Sequence, residues 1–224
     1  MFTGFSQETI DFMWGLQLNN NKPWFEENKE VFKNALHEPM KALAADVFAA
    51  IDAEFAGREL RTKVSRIYKD ARRVKDGQPY RSNLWFSIER PSEDEWTAVP
   101  VFWFELKPEN WSYGLGYYAA KAATMAKFRA RLDNHPAQFE KIAIPLQNQT
   151  EFVLDADEYK RAKVPAWPQF ASWYNSKSFS LMHTQDNGVE IYDAGFAARI
   201  ASGFKLLMPL YDYLITLDQD VDPR

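Results

Sequence analysis

The spacing of apolar residues changes along this 224-residue chain, and that change constrains its fold more than any other feature. Over residues 6–55 the spacing is helical. Ser6 is placed to cap a first helix running to about Leu18, with Ile10, Met13 and Leu16 on one side. Asn19, Asn20 and Asn21 form a turn or cap cluster. Pro23 sits where a first helical residue belongs, with Asn21 or Lys22 at the cap. Trp24, Phe25, Val31, Phe32 and Leu36 continue the pattern. Pro39 interrupts it, and Met40, Leu43, Val47, Phe48, Ile51 and Phe55 carry a second stripe that ends near Gly57.

The period then falls to two. Val64, Arg66 and Tyr68 alternate with Ser65 and Ile67, which predicts a strand with Arg66 on the Val64 and Tyr68 face. Further strands are expected over 84–89, 99–106 and 111–118, with Gly114 and Gly116 as bulge or close-approach positions. Helical spacing returns from Ala119 to about Leu132 and over 136–146. Arg129 and Arg131 fall late in the first of these helices, where the dipole favours cations. A short strand is expected over 151–154, a helix over 167–174 and a strand over 178–182. An amphipathic closing helix over 195–217 carries Ile200, Phe204, Leu207, Leu210 and Leu214, with Pro209 as a kink. Helices, then strands, then helices predict an α+β fold: a mostly antiparallel sheet of four or more strands packed against N- and C-terminal helices. No repeat, low-complexity tract or long linker interrupts the chain, so residues 1–224 are read as a single domain.

Charge is distributed unevenly. Residues 61–81 hold eight Lys or Arg (Arg61, Lys63, Arg66, Lys69, Arg72, Arg73, Lys75, Arg81) against Asp70 and Asp76, a formal charge of +6. The chain as a whole is at −4, so the remainder carries −10. Such an island concentrates anions. Arg offers planar donor forks suited to phosphate or carboxylate, and Lys supplies point charge. Asp76-Gly77 and Pro79 punctuate the segment as a turn, which puts most of these cations on a loop held by strands. The competing expectation is a solvated loop whose charges pair with the acidic helices.

Other classes are excluded by what is absent from the sequence. The chain has no cysteine, hence no disulfide, thiolate metal site or cysteine nucleophile, which fits a reducing compartment. His37, His135 and His183 are scattered, so no metal is expected. His183 lies near Asp186, Ser178 and Ser180, yet no nucleophile-elbow signature accompanies them. There is no P-loop and no dinucleotide fingerprint. The opening residues have no basic leader or apolar core of a signal peptide, and no apolar run spans a bilayer; a cytoplasmic location and no membrane partner are expected.

The stretch Arg66-Ile67-Tyr68-Lys69-Asp70-Ala71-Arg72-Arg73-Val74-Lys75-Asp76-Gly77-Gln78-Pro79-Tyr80-Arg81 resembles the central signature of a bacterial family known only as domain of unknown function 2461. Phe2, Gly4 and Phe5, then Asn19-Asn20, Trp24-Phe25 and Asn28-Lys29, are similar to that family's opening. Leu115-Gly116, Arg129 and Lys177-Ser178-Phe179 fit its later part. Lys69, Arg73, Val74 and Gly77 depart from the pattern, whereas Arg66, Asp70, Arg72, Lys75, Asp76, Pro79 and Tyr80 keep it. The resemblance implies a cytosolic α+β protein and carries no activity or cofactor.

The functional expectation is an anion site on the loop over 66–81. Arg66, Arg72 and Lys75 would hold the anion, Asp70 would orient an Arg, and Asp76 and Tyr80 would add contacts. Trp24, Trp85 and Trp103 would wall the site. The ligand expected is a phosphorylated small molecule or a short single-stranded nucleic acid. Were the protein an enzyme, Asp70 or Tyr80 would be its acid/base group. The alternative is a non-catalytic interaction module that docks an acidic partner.

Overall fold

The structure is a computed structural model. It describes the whole chain except Ala71, Arg73, Lys75, Asp76, Glu95 and Arg224, together with the side chains of Trp96 and Phe179. The fold is α+β. Helices α1 (Gln7–Leu18), α2 (Lys22–Glu27), α3 (Lys29–Val31) and α4 (Glu38–Asp52) precede strands β1 (Arg61–Val64), β2 (Leu84–Glu89), β3 (Val101–Leu106) and β4 (Asn110–Tyr117). Then come α5 (Ala122–Asn134), α6 (Pro136–Gln147), β5 (Val153–Glu158), α7 (Ala171–Tyr174), β6 (Ser176–Asp186) and α8 (Phe196–Ile215). The strands form one sheet in the order β1-β2-β3-β4-β6-β5, with β1 antiparallel to β2 and β5 antiparallel to β6.

Local chemistry sets the first elements. Ser6 closes a capping box with Thr9 at the start of α1. Of the two cap candidates for α2 it is Asn21 that accepts the Trp24 N–H. Pro39 does not break the chain of helices. It is the second residue of α4 and follows directly on a π-helical turn over Phe32–His37. Three strands differ from expectation, β5 among them, which runs Val153–Glu158 rather than over 151–154. β1 stops at Val64, so Arg66 lies beyond it and is exposed. The reason is a shift of register: Val64 pairs with Phe86 and the Ser65 N–H bonds the Trp85 carbonyl, whereas beyond them the Arg81 N–H bonds the Ile67 carbonyl and Tyr68 pairs with Tyr80. β6 is eleven residues long, about twice the expected strand.

The residues group into two compact units. One comprises Met1–Glu89, Trp103–Tyr113 and Thr184–Ser202; the other comprises Arg90–Phe102, Gly114–His183 and Gly203–Arg224. The core of the first is aromatic. Phe86 stacks on Phe104 at 5.4 Å, and Phe196 meets Phe104 and Trp111 edge-on at 5.8 and 4.9 Å. In the second, Phe139 receives Phe128, Phe170 and Trp173 in T-shaped contacts at 5.3–5.4 Å, and Phe102 packs on Phe204 and Tyr211. Each such ring contributes about 1.5–3 kcal/mol from burial, and edge-to-face pairing adds roughly 0.5–1.5 kcal/mol.

Candidate functional site

The cationic loop springs from a fixed base. Tyr68 and Tyr80 form an antiparallel bridge, flanked by Lys69 N–H to the Pro79 carbonyl and Arg81 N–H to the Ile67 carbonyl. Asn20 grips this bridge from the helical layer. Its Nδ2 donates to the Tyr80 carbonyl at 2.9 Å, and its Oδ1 accepts the Tyr80 N–H at 3.0 Å. The amide therefore imitates a neighbouring strand, satisfying both backbone groups of a residue that is 2% exposed. The Tyr80 ring stacks on Phe25 at 4.1 Å, and Tyr68 meets Phe25 at 5.7 Å. Burial, then the Tyr68 and Glu26 charges, push the Tyr80 hydroxyl pKa upward. The Tyr80 ring is thus a buried anchor of the loop base, while Tyr68 is half exposed.

Beyond this base the cations divide. Arg72 donates to Asp70 through Nε at 3.1 Å and Nη2 at 2.7 Å, and its own backbone N–H also bonds Asp70. Both Asp70 oxygens are engaged by the Arg72 guanidinium. Arg66 is exposed and makes no ion pair among the described residues. Lys75 and Asp76 lie outside the described residues.

The aromatic walls do not sit on one side of the sheet. Trp24 packs on Phe12 at 5.6 Å and lies over Gly15, within the helical layer. Trp85 and Trp103 neighbour Phe86 and Phe104 in sequence, so the pleat turns them to the opposite face. On that face the Trp103 Nε1 and Glu89 Oε2 are buried without a partner among the described residues. Asn28 donates to the Trp24 carbonyl and Lys29 pairs with Glu26, which gives both a local structural role.

The two arginines of α5 have different fates. Arg131 is fully engaged: it bonds Asp220 through Nε and Nη2, the Thr216 carbonyl and hydroxyl, and the Tyr213 carbonyl. It ties α5 to the end of α8 and forms one wall of a groove of about 480 Å³ beside Lys127, His135 and Gln138. All the donors of Arg131 are spent within the fold. Arg129 is 8% exposed and makes one side-chain hydrogen bond among the described residues, Nη1 to the Tyr159 hydroxyl at 3.4 Å. His183, beside which the sequence shows no nucleophile-elbow signature, meets the Glu151 carbonyl through Nδ1 at 2.8 Å.

Asn20 is the residue that sequence reasoning missed. The Asn19–Asn21 run reads as turn and cap, and nothing local reports that its middle member reaches Tyr80, sixty positions away.

These features define an α+β protein that presents a cationic loop on an aromatic and amide-clamped base. The chain belongs to the family described as conserved hypothetical protein (DUF2461), whose model matches residues 8–213. No curated protein matches it. No helix is long and apolar enough to cross a membrane among the described residues.

Proposed function

We propose that the loop over 66–81 binds a small phosphate-bearing molecule. The observation that supports this reading is the Asp70–Arg72 pair. A guanidinium carries five N–H donors, and Asp70 takes two, on Nε and Nη2. The remaining donors stay in a fixed plane, ready for an incoming anion. Arg66 adds charge that no described residue neutralises, and the half-exposed Tyr68 offers a ring and a hydroxyl at the loop base. Lys75 and Arg81 extend the same cationic field in sequence.

The test is thermal stability against nucleoside mono- and diphosphates, sugar phosphates and a short oligonucleotide, for the parent, Arg66→Ala and Arg72→Ala. A saturable rise that both variants weaken supports the reading, because a ligand of the folded state stabilises it. A response confined to the oligonucleotide would move the ligand to single-stranded nucleic acid.

One observation favours the alternative, a module for an acidic partner: the Arg72 side chain is 89% exposed, as a surface contact would be. No stabilisation by any compound, with salt-sensitive binding to an acidic polypeptide that Arg72→Ala weakens, would establish that reading.

A further inference from the structure

The unit that includes α5, β5 and most of β6 holds a second gathering of positive charge, unrelated to the loop. Three cations surround one ring: Arg129 Cζ lies 5.3 Å from the Tyr159 centroid, Lys163 Nζ 5.1 Å and Lys177 Nζ 5.8 Å. They come from α5, from the segment after β5 and from β6. Asn175 fixes their arrangement. This residue, 9% exposed, accepts the Lys163 N–H at 2.6 Å and donates to the Lys163 carbonyl at 3.2 Å, while its own carbonyl accepts the Tyr159 N–H at 3.0 Å.

Nothing anionic among the described residues answers these charges. Arg129 is more than nine-tenths buried, yet its one side-chain hydrogen bond among the described residues goes to a neutral phenol. Asp133, one turn along α5, accepts the Tyr174 hydroxyl at 2.8 Å instead. Asp157 and Glu158 are exposed on β5 and pair with none of the three. A buried guanidinium without a counter-charge is costly, and three cations around one ring repel one another. Cation–π attraction offsets only part of this.

We infer that Arg129, Lys163, Lys177 and the Tyr159 hydroxyl bind a phosphate group. Arg129 supplies the buried donors, the two lysines supply charge at the rim, and Tyr159 is the platform that spaces them. The summed charge of +3 suits a dianion better than a single carboxylate.

The experiment is a titration of the parent with inorganic phosphate, read by calorimetry and by thermal shift. Saturable binding is expected, and the exposed substitutions Lys163→Ala and Lys177→Ala should each weaken it about three- to tenfold through loss of one nearby charge. Arg129→Met should abolish it while leaving the phosphate-free protein as stable or more stable, since an unpaired buried charge is replaced by apolar volume. Arg66→Ala and Arg72→Ala should leave unchanged the component of the titration that the lysine substitutions weaken, which separates it from the loop. Absence of saturable phosphate binding, or binding insensitive to both lysine substitutions, would overturn the inference. So would an Arg129→Met protein that loses stability and still binds phosphate.

Discussion

Substituting Asn20 by Ala tests how the loop is held. Two hydrogen bonds vanish, at 2.9 and 3.0 Å, and each is worth about 1 kcal/mol net. The larger effect is what remains: the Tyr80 N–H and carbonyl, on a residue 2% exposed, lose their partner. An unsatisfied buried group costs about 1–3 kcal/mol, and partial rehydration of the bridge lowers that figure. A total of about 2–4 kcal/mol follows, equivalent to a Tm fall of roughly 5–10 °C for a chain of this size. Calorimetry reads the global change. Amide exchange at Lys69, Tyr80 and Arg81 reads the local one, which dominates if the bridge opens ahead of the rest. Asn20→Asp keeps the acceptor and loses the donor, so it should fall between parent and Ala. A Tm within about 1 °C of the parent, with Tyr80 exchange unchanged, would refute the claim that this amide holds the loop base.

Two further substitutions probe the sheet. Gly114→Ala would set a methyl against the Leu181 carbonyl oxygen of β6, backbone that does not yield, and a loss of about 2–4 kcal/mol is expected by denaturant melt. Glu89 is half-buried, and burial raises its carboxyl above the ordinary 4.5 despite the opposing charge of Lys63. A raised carboxyl favours the protonated folded state, so stability is lost as pH climbs from about 4.5 through the folded value. Glu89→Gln should therefore stabilise the protein at neutral pH by an increment that fades by about pH 4; a gain that persists unchanged at low pH would contradict this sign.

The limits of the sequence show at particular residues. Periodicity and caps located α1, α2, α4, α5, α6 and α8, because those signals lie within a turn or two of the residues they position. The close-approach glycine at position 114 was legible because a missing Cβ is informative by itself. The strand expected through Arg66 stopped at Val64, since alternation describes side-chain faces and says nothing about where a partner strand ends. The cationic stretch was conspicuous, and Asp70 was expected to orient an Arg; that the Arg it pairs with is Arg72 was not legible. Arg129 looked like a helix-end cation, and its burial beside Tyr159, Lys163 and Lys177 depends on a segment that Asn175 folds back.

The order of helices and strands, the helix starts and the place of the positive charge were all determined by the chain alone, because each depends on neighbours in sequence. Which charges are answered and which are left open was decided by tertiary structure. Asn20 meets Tyr80 across sixty positions, and Arg129 meets Tyr159 across thirty. Hydrogen bonds and ion pairs act over a few ångströms, and only the folded backbone brings such distant side chains within that range.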